Sequence, residues 1–96
     1  MSVDVQHSEI TKSPGVCGGR ARISGHRIRV QDVVIEYEWQ GLSPEEICQQ
    51  HPGLSLAEVH AALAYYYAHR DEIRAEIDAD KHAEAEFRQQ LPTPAR

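Results

Sequence analysis

The sequence predicts a mainly α domain in which a short N-terminal β-ribbon precedes a helix-turn-helix bundle with a long C-terminal helix. Three observations predict this fold. Period-two alternation is confined to the "ARISGHRIRV" of residues 21–30, a helix-start signature occurs twice within residues 42–59, and no Gly or Pro interrupts residues 55–91.

Ninety-six residues make one small domain. Its core is modest, so self-association or a partner is expected. Residues 1–9 show no periodicity and are read as a flexible N-terminus, residues 10–78 as the folded domain with its basic ribbon, and residues 79–96 as a charged tail. No apolar run approaches the roughly 20 residues that a membrane span requires. The start "MSVDVQHSEI" lacks the basic and apolar regions of an export signal. These features lead to the expectation of a cytoplasmic protein, with Cys17 and Cys48 as reduced thiols.

The ribbon comes first. "EITKS" fits a short strand, "SPGVCGG" carries turn chemistry, and Ile23, Ile28 and Val30 alternate with charged or polar positions around a break at Gly25. From Gln31 the period becomes helical. Val33, Val34 and Tyr37 fall on one face, while Ile35 and Trp39 fall roughly opposite at 100° per residue. A helix that is apolar on two sides buries one of them in its own core and offers the other to a second subunit or partner. Gly41 ends it.

"LSPEEI" (residues 42–47) and "LSLAEV" (residues 54–59) each place Ser as N-cap with Glu three residues later, a capping box. Leu42 with Ile47, and Leu54 with Val59, stand in hydrophobic-staple positions. Pro44 occupies the first helical position and "HPG" breaks the chain between the two helices, which is helix-turn-helix arithmetic. The second helix is expected to run on as one seam through Leu56, Val59, Leu63, Tyr66, Ile73 and Ile77. Asp80 and Glu84 interrupt that seam before Phe87 and Leu91 resume it, so the tail is expected to order when a partner covers those two residues. The expected core is Val33, Val34, Tyr37, Ile47, Val59, Leu63 and Tyr66.

Charge is unevenly distributed. The formal net charge is -5, but residues 1–30 hold five Lys/Arg against two Asp/Glu. Only this third of the chain attracts a polyanion. Lys12, Arg20, Arg22, Arg27 and Arg29 are therefore the candidate DNA contacts, joined by Ser55 and His60 on the outward face of the second helix of the helix-turn-helix. That helix begins "SLAEVHAALAYYY" and is poor in the Arg, Lys, Asn and Gln that read base edges. Ile35, Trp39, Ile73, Ile77, Phe87 and Leu91 are the candidate partner contacts. Tyr65 and Tyr67 cannot share the face of Tyr66 and are candidates for packing on the ribbon or a second subunit.

No catalytic pattern is present, and the chain is read as a non-enzyme. His60, His69 and His82 are nine and thirteen residues apart, not at the i, i+4 spacing that aligns two metal ligands. Gly18 and Gly19 lie in neither a Walker nor a GxGxxG pattern. No metal or cofactor is expected.

Together, "SPGVCGGRARISGHRIRVQDVV" and "GLSPEEICQQHPGLSLAEVHAALAYYYAHRDEI" resemble the DUF433 family over residues 10–77. The resemblance implies a homeodomain-like helix-turn-helix. It also implies a VapB-type antitoxin that, as a homodimer, neutralises a PIN-like ribonuclease toxin and binds its own operator DNA in transcription regulation. The sparse second helix around Ser55 and His60 departs from a DNA-reading pattern. The alternatives are a stand-alone transcriptional regulator and a protein–protein adaptor without DNA binding.

Overall fold

A computed structural model describes residues 9–90; Leu91, His7, most of the expected flexible N-terminus and the last residues of the tail lie outside them. The chain is mainly helical. Strands β1 (Ile10–Thr11) and β2 (Arg22–Ile23) pair antiparallel, with Ile10 opposite Ile23 and Thr11 opposite Arg22. Helices α1 (Val30–Val34), α2 (Pro44–Gln50), α3 (Leu56–Ala68) and α4 (Arg70–Gln90) follow. No described helix is long and apolar enough to cross a membrane.

The ribbon forms where alternation was read. Gly25, at φ +81°, turns the chain so that the Ile23 amide donates to the Ile28 carbonyl and the Val30 amide to the Ala21 carbonyl. Ala21, Ile23 and Val30 thereby enter the core, and the intervening arginines are left at its edge.

Helix α1 starts where the Asp32 carboxylate accepts from the Arg29 amide at 2.9 Å and from the Arg29 guanidinium at 2.8 and 3.1 Å. Past Val34 it widens into a π-helical turn over Ile35–Trp39, where the Gln40 amide bonds five residues back to Ile35. This turn corrects the wheel drawn at 100° per residue. The extra residue per turn rotates everything beyond Val34, so Tyr37 is only partly buried while Val33 and Val34 are fully inside.

Both capping boxes are formed. The Glu46 amide donates to Ser43 Oγ and the Ser43 amide to Glu46; Ser55 and Glu58 repeat the exchange. Ile47 and Leu54 are buried on the two sides of the turn.

The expected single long helix is instead two. His69 adopts φ -133°, ψ 46°. Its amide still closes the last turn onto the Tyr65 and Tyr66 carbonyls at 2.9 and 3.1 Å, while its ring stacks on Tyr65 at 4.1 Å with Nδ1 3.1 Å from the Tyr65 carbonyl, so the side chain folds back over the end of α3 as the backbone leaves it. A helix can thus end without Gly or Pro. Helix α4 turns back over α1, and Ile73 and Ile77 complete a core made by Val33, Val34, Ile47, Val59, Ala62, Leu63 and Tyr66.

Candidate nucleic-acid and partner interface

Helix α4 sets the geometry of the site. Ile73 and Ile77 point inward, and the flanking positions one turn apart, Glu72, Glu76 and Asp80, form a carboxylate stripe down the same side of the helix. The ribbon lies alongside. Its cations meet this stripe instead of facing outward as a group. Lys12 Nζ is 2.9 Å from Glu72, and the Tyr65 hydroxyl donates to the same carboxylate at 3.1 Å. The hydrogen bond that Lys12 donates to Glu72 raises its pKa above the ordinary value, against the opposing effect of burial.

The tightest part of the stripe is at Asp80. Arg20 Nη1 donates to both of its oxygens at 2.9 and 3.0 Å, Gln31 Nε2 donates to Oδ2 at 2.9 Å, and Arg29 Nη1 stands 3.6 Å away. Arg20 also donates to Gln31 Oε1 at 2.7 Å, which fixes the amide with its nitrogen toward the carboxylate. Gln31 is 1% exposed and is the polar side chain within the core. Burial opposes the charge on Asp80, but the hydrogen bonds from Gln31 and Arg20 and the fields of Arg20 and Arg29 outweigh it and hold the carboxyl below its usual range. Glu76, between the two pairs, behaves oppositely. Burial pushes its carboxyl up despite the nearby Arg20, and its Oε1 is buried without a hydrogen-bond partner.

Of the five expected DNA contacts on the ribbon, Lys12, Arg20 and Arg29 are therefore engaged within the chain. Arg22 is also engaged, through the His26 carbonyl and the Ser13 hydroxyl. Arg27 is exposed and has no ion pair among the described residues. Ser55 and His60 are exposed on the outer side of α3, and the ribbon turn reaches the start of that helix, with His26 Nε2 3.5 Å from Glu58. The Ser55 amide, against desolvation and with help from His26, lowers the Glu58 pKa.

The expected partner residues separate into three groups. Ile73 and Ile77 are buried in this chain's own core, because the break at His69 folds α4 back on α1, and they are not available to a partner. Ile35 packs partly against the core. Trp39 is 49% exposed, with Lys81 Nζ 4.0 Å above its ring, and Phe87 is 59% exposed on the face that carried Ile73 and Ile77. Tyr65 faces the ribbon, whereas Tyr67 is half exposed beneath the Arg70 guanidinium.

Sequence reading missed Gln31, Glu72, Glu76 and Asp80 as members of the site. The signal was present: carboxylates at i, i+4 and i+8 beside an isoleucine seam, in a chain whose other end is basic. A second missed pair is His51 Nε2 with Glu36 Oε2 at 2.7 Å, which joins the turn after α2 to the π-helical turn. Among the described residues no three His, Cys, Asp or Glu side chains converge as metal ligands.

The family model described as a protein of unknown function, DUF433, matches residues 10–66, which contain the ribbon, α1, α2 and most of α3. No curated protein matches. A crystal structure of a DUF433 member protein from Anabaena variabilis ATCC 29413 is 36% identical and superposes with a TM-score of 0.67, over 77% of this chain and 72% of that one. With more than half of its length matched by the family model and its fold shared with a member, this chain belongs to the DUF433 family.

Proposed function

We propose that this protein is an antitoxin that captures and neutralises a PIN-like ribonuclease and, as a homodimer, contacts its operator DNA. The observation that carries the reading is the exit of α4 from the globule. Beyond Ile77 no described residue of the helix is buried, and residues 81–90 are all exposed. At 1.5 Å per residue this stretch extends about 15 Å, enough to lie in a groove on another protein.

The chemistry of the projecting stretch differs from an acidic arm. Lys81 and Arg88 balance Glu84 and Glu86, and the carboxylates closer to the core are already paired with the ribbon. Phe87 is therefore the anchor, and charge sets its register. Half-exposed Trp39 lies beside the root of this helix and supports a contact surface continuous with it.

Co-expression with the product of the neighbouring reading frame, followed by purification through a tag on one protein, tests the proposal. Phe87→Asp and deletion of residues 79–96 are expected to abolish co-purification and release the nuclease activity. A truncated protein that still binds and silences its partner sinks this reading. An adaptor without DNA contact is the second reading. The internal pairing of Lys12, Arg20 and Arg29 favours it, as does the absence of cations at the exposed start of α3.

A further inference from the structure

We propose that Arg20, Arg29 and the Gln31 amide form a preorganised oxyanion cradle, occupied here by the chain's own Asp80 carboxylate, which accepts a nucleic-acid backbone phosphate when Asp80 is withdrawn. The inference rests on the DNA-facing half of the proposed function for the identity of its ligand, but the cradle itself is an observation of geometry.

Gln31 and Arg29 are each held by contacts other than Asp80. Gln31 is buried, and its Oε1 accepts from Arg20 at 2.7 Å, so its Nε2 must face the site. Arg29 is held by the Asp32 carboxylate at 2.8 Å and presents its remaining Nη1 toward Asp80. Arg20 reaches both Asp80 oxygens through one nitrogen. Guanidinium groups and a primary amide converging on one pair of oxygens suit phosphate as well as carboxylate, because both present charged oxygens at similar spacing.

The occupant is removable. Asp80 stands one turn beyond Ile77, the last buried residue of α4, and its side chain is 44% exposed. Beyond it, among the described residues, the stacking of Lys81 on Trp39 is the side-chain contact that ties the helix to the globule. A partner that seizes residues 81–90 therefore acts on a lever whose inner end is Asp80. A cavity of about 240 Å³ opens beside the cradle, lined in part by Trp39, Lys81 and Glu84, and gives a phosphate a route in. Lys81 adds a cation there and Glu84 opposes it. Removing Asp80 takes away the ion-pair partner of Arg20 and leaves it facing the more distant Glu76, whose charge burial already opposes, while Arg29 keeps Asp32.

The test compares the full chain with Asp80→Asn, which neutralises the occupant but leaves an acceptor for Gln31, and with Asp80→Ala. Circular dichroism verifies that each is folded. Binding to duplex DNA from the upstream region is measured against salt, and the Gln31 side-chain amide is followed by NMR during titration with inorganic phosphate. The cradle requires that both variants bind DNA several-fold more tightly, with a log-log salt slope steeper by about 0.9 for one further neutralised phosphate. That gain must vanish when Arg20→Ala and Arg29→Ala are added. A Gln31 shift with phosphate in the Asp80 variants but no DNA binding by any form keeps the cradle, assigns it to free phosphate and removes the DNA half of the proposed function. DNA binding equal in all forms leaves that half standing and overturns the cradle. So does the absence of both the phosphate shift and any DNA gain.

Discussion

Asp80, on the last helix, and Arg20, in the N-terminal arm, stand sixty positions apart in sequence and meet at 2.9 Å. Their pairing explains how an acidic protein keeps an arginine-rich arm. The arm is charge-matched to one side of α4, and Gln31 joins them from within the core. The strength of this connection is measurable. In a double-mutant cycle of Arg20→Ala and Asp80→Ala followed by chemical denaturation, a coupling of about 0.5–1 kcal/mol is expected, because both side chains are partly exposed. It should fall as salt is raised. Strict additivity would show that the pair contributes nothing to stability.

The pH dependence of stability should have two components of opposite sign. Asp80 has a folded-state pKa below its unfolded value, so its contribution is present above the unfolded value and is lost as pH falls through the folded one. Glu76 has a raised folded-state pKa, so it weakens the fold as pH rises through the carboxylate range, and the penalty is complete above the folded value. Glu76→Gln should therefore raise stability at pH 7 relative to pH 4, and Asp80→Asn should lower it at pH 7 relative to about pH 2, below the ordinary carboxylate range. Denaturation midpoints of the two variants at these pH values check the signs.

The isoleucines and the phenylalanine of α4 share a face but not a role. Ile77→Ala should cost about 2–4 kcal/mol, because it opens a cavity in a closed core. Phe87→Ala should change stability by no more than about 0.5 kcal/mol, because nothing described covers its ring. Urea titration separates the two, and a large loss at Phe87 would mean that it packs on a second copy of the chain.

The single tryptophan reports on the root of the projecting helix. Lys81 lies 4.0 Å from the Trp39 ring, so Lys81→Ala should change the intensity and wavelength of its emission without unfolding the protein. The same change should appear in the wild-type protein when a partner engages residues 81–90. Identical spectra with and without Lys81 would mean that the stacking is not kept in solution.

Ser43 and Ser55 act as helix caps, and each Ser→Ala substitution should cost about 1 kcal/mol. Thermal melts check this. For Ser55 the loss should occur with or without DNA, which distinguishes the cap from a DNA contact.

Local chemistry was enough to place the ribbon, the two capping boxes and most of the core, because each depends on residues within a few positions of one another. Alternation around Gly25 places Ile23 and Val30 inside, and Ser–Glu pairs three residues apart mark the starts of α2 and α3 whatever the rest of the chain does. The tertiary structure decided the rest. The π-helical turn at Ile35–Trp39 and the break at His69 violate no local rule, and they changed where Tyr37, Ile73 and Ile77 face. Once α4 folds back, its carboxylates at 72, 76 and 80 stand against Lys12, Arg20 and Arg29. A count of charge along the chain shows that the two ends are opposite in sign but not that they touch, because Coulomb attraction depends on distance in space and carries no trace of separation in sequence.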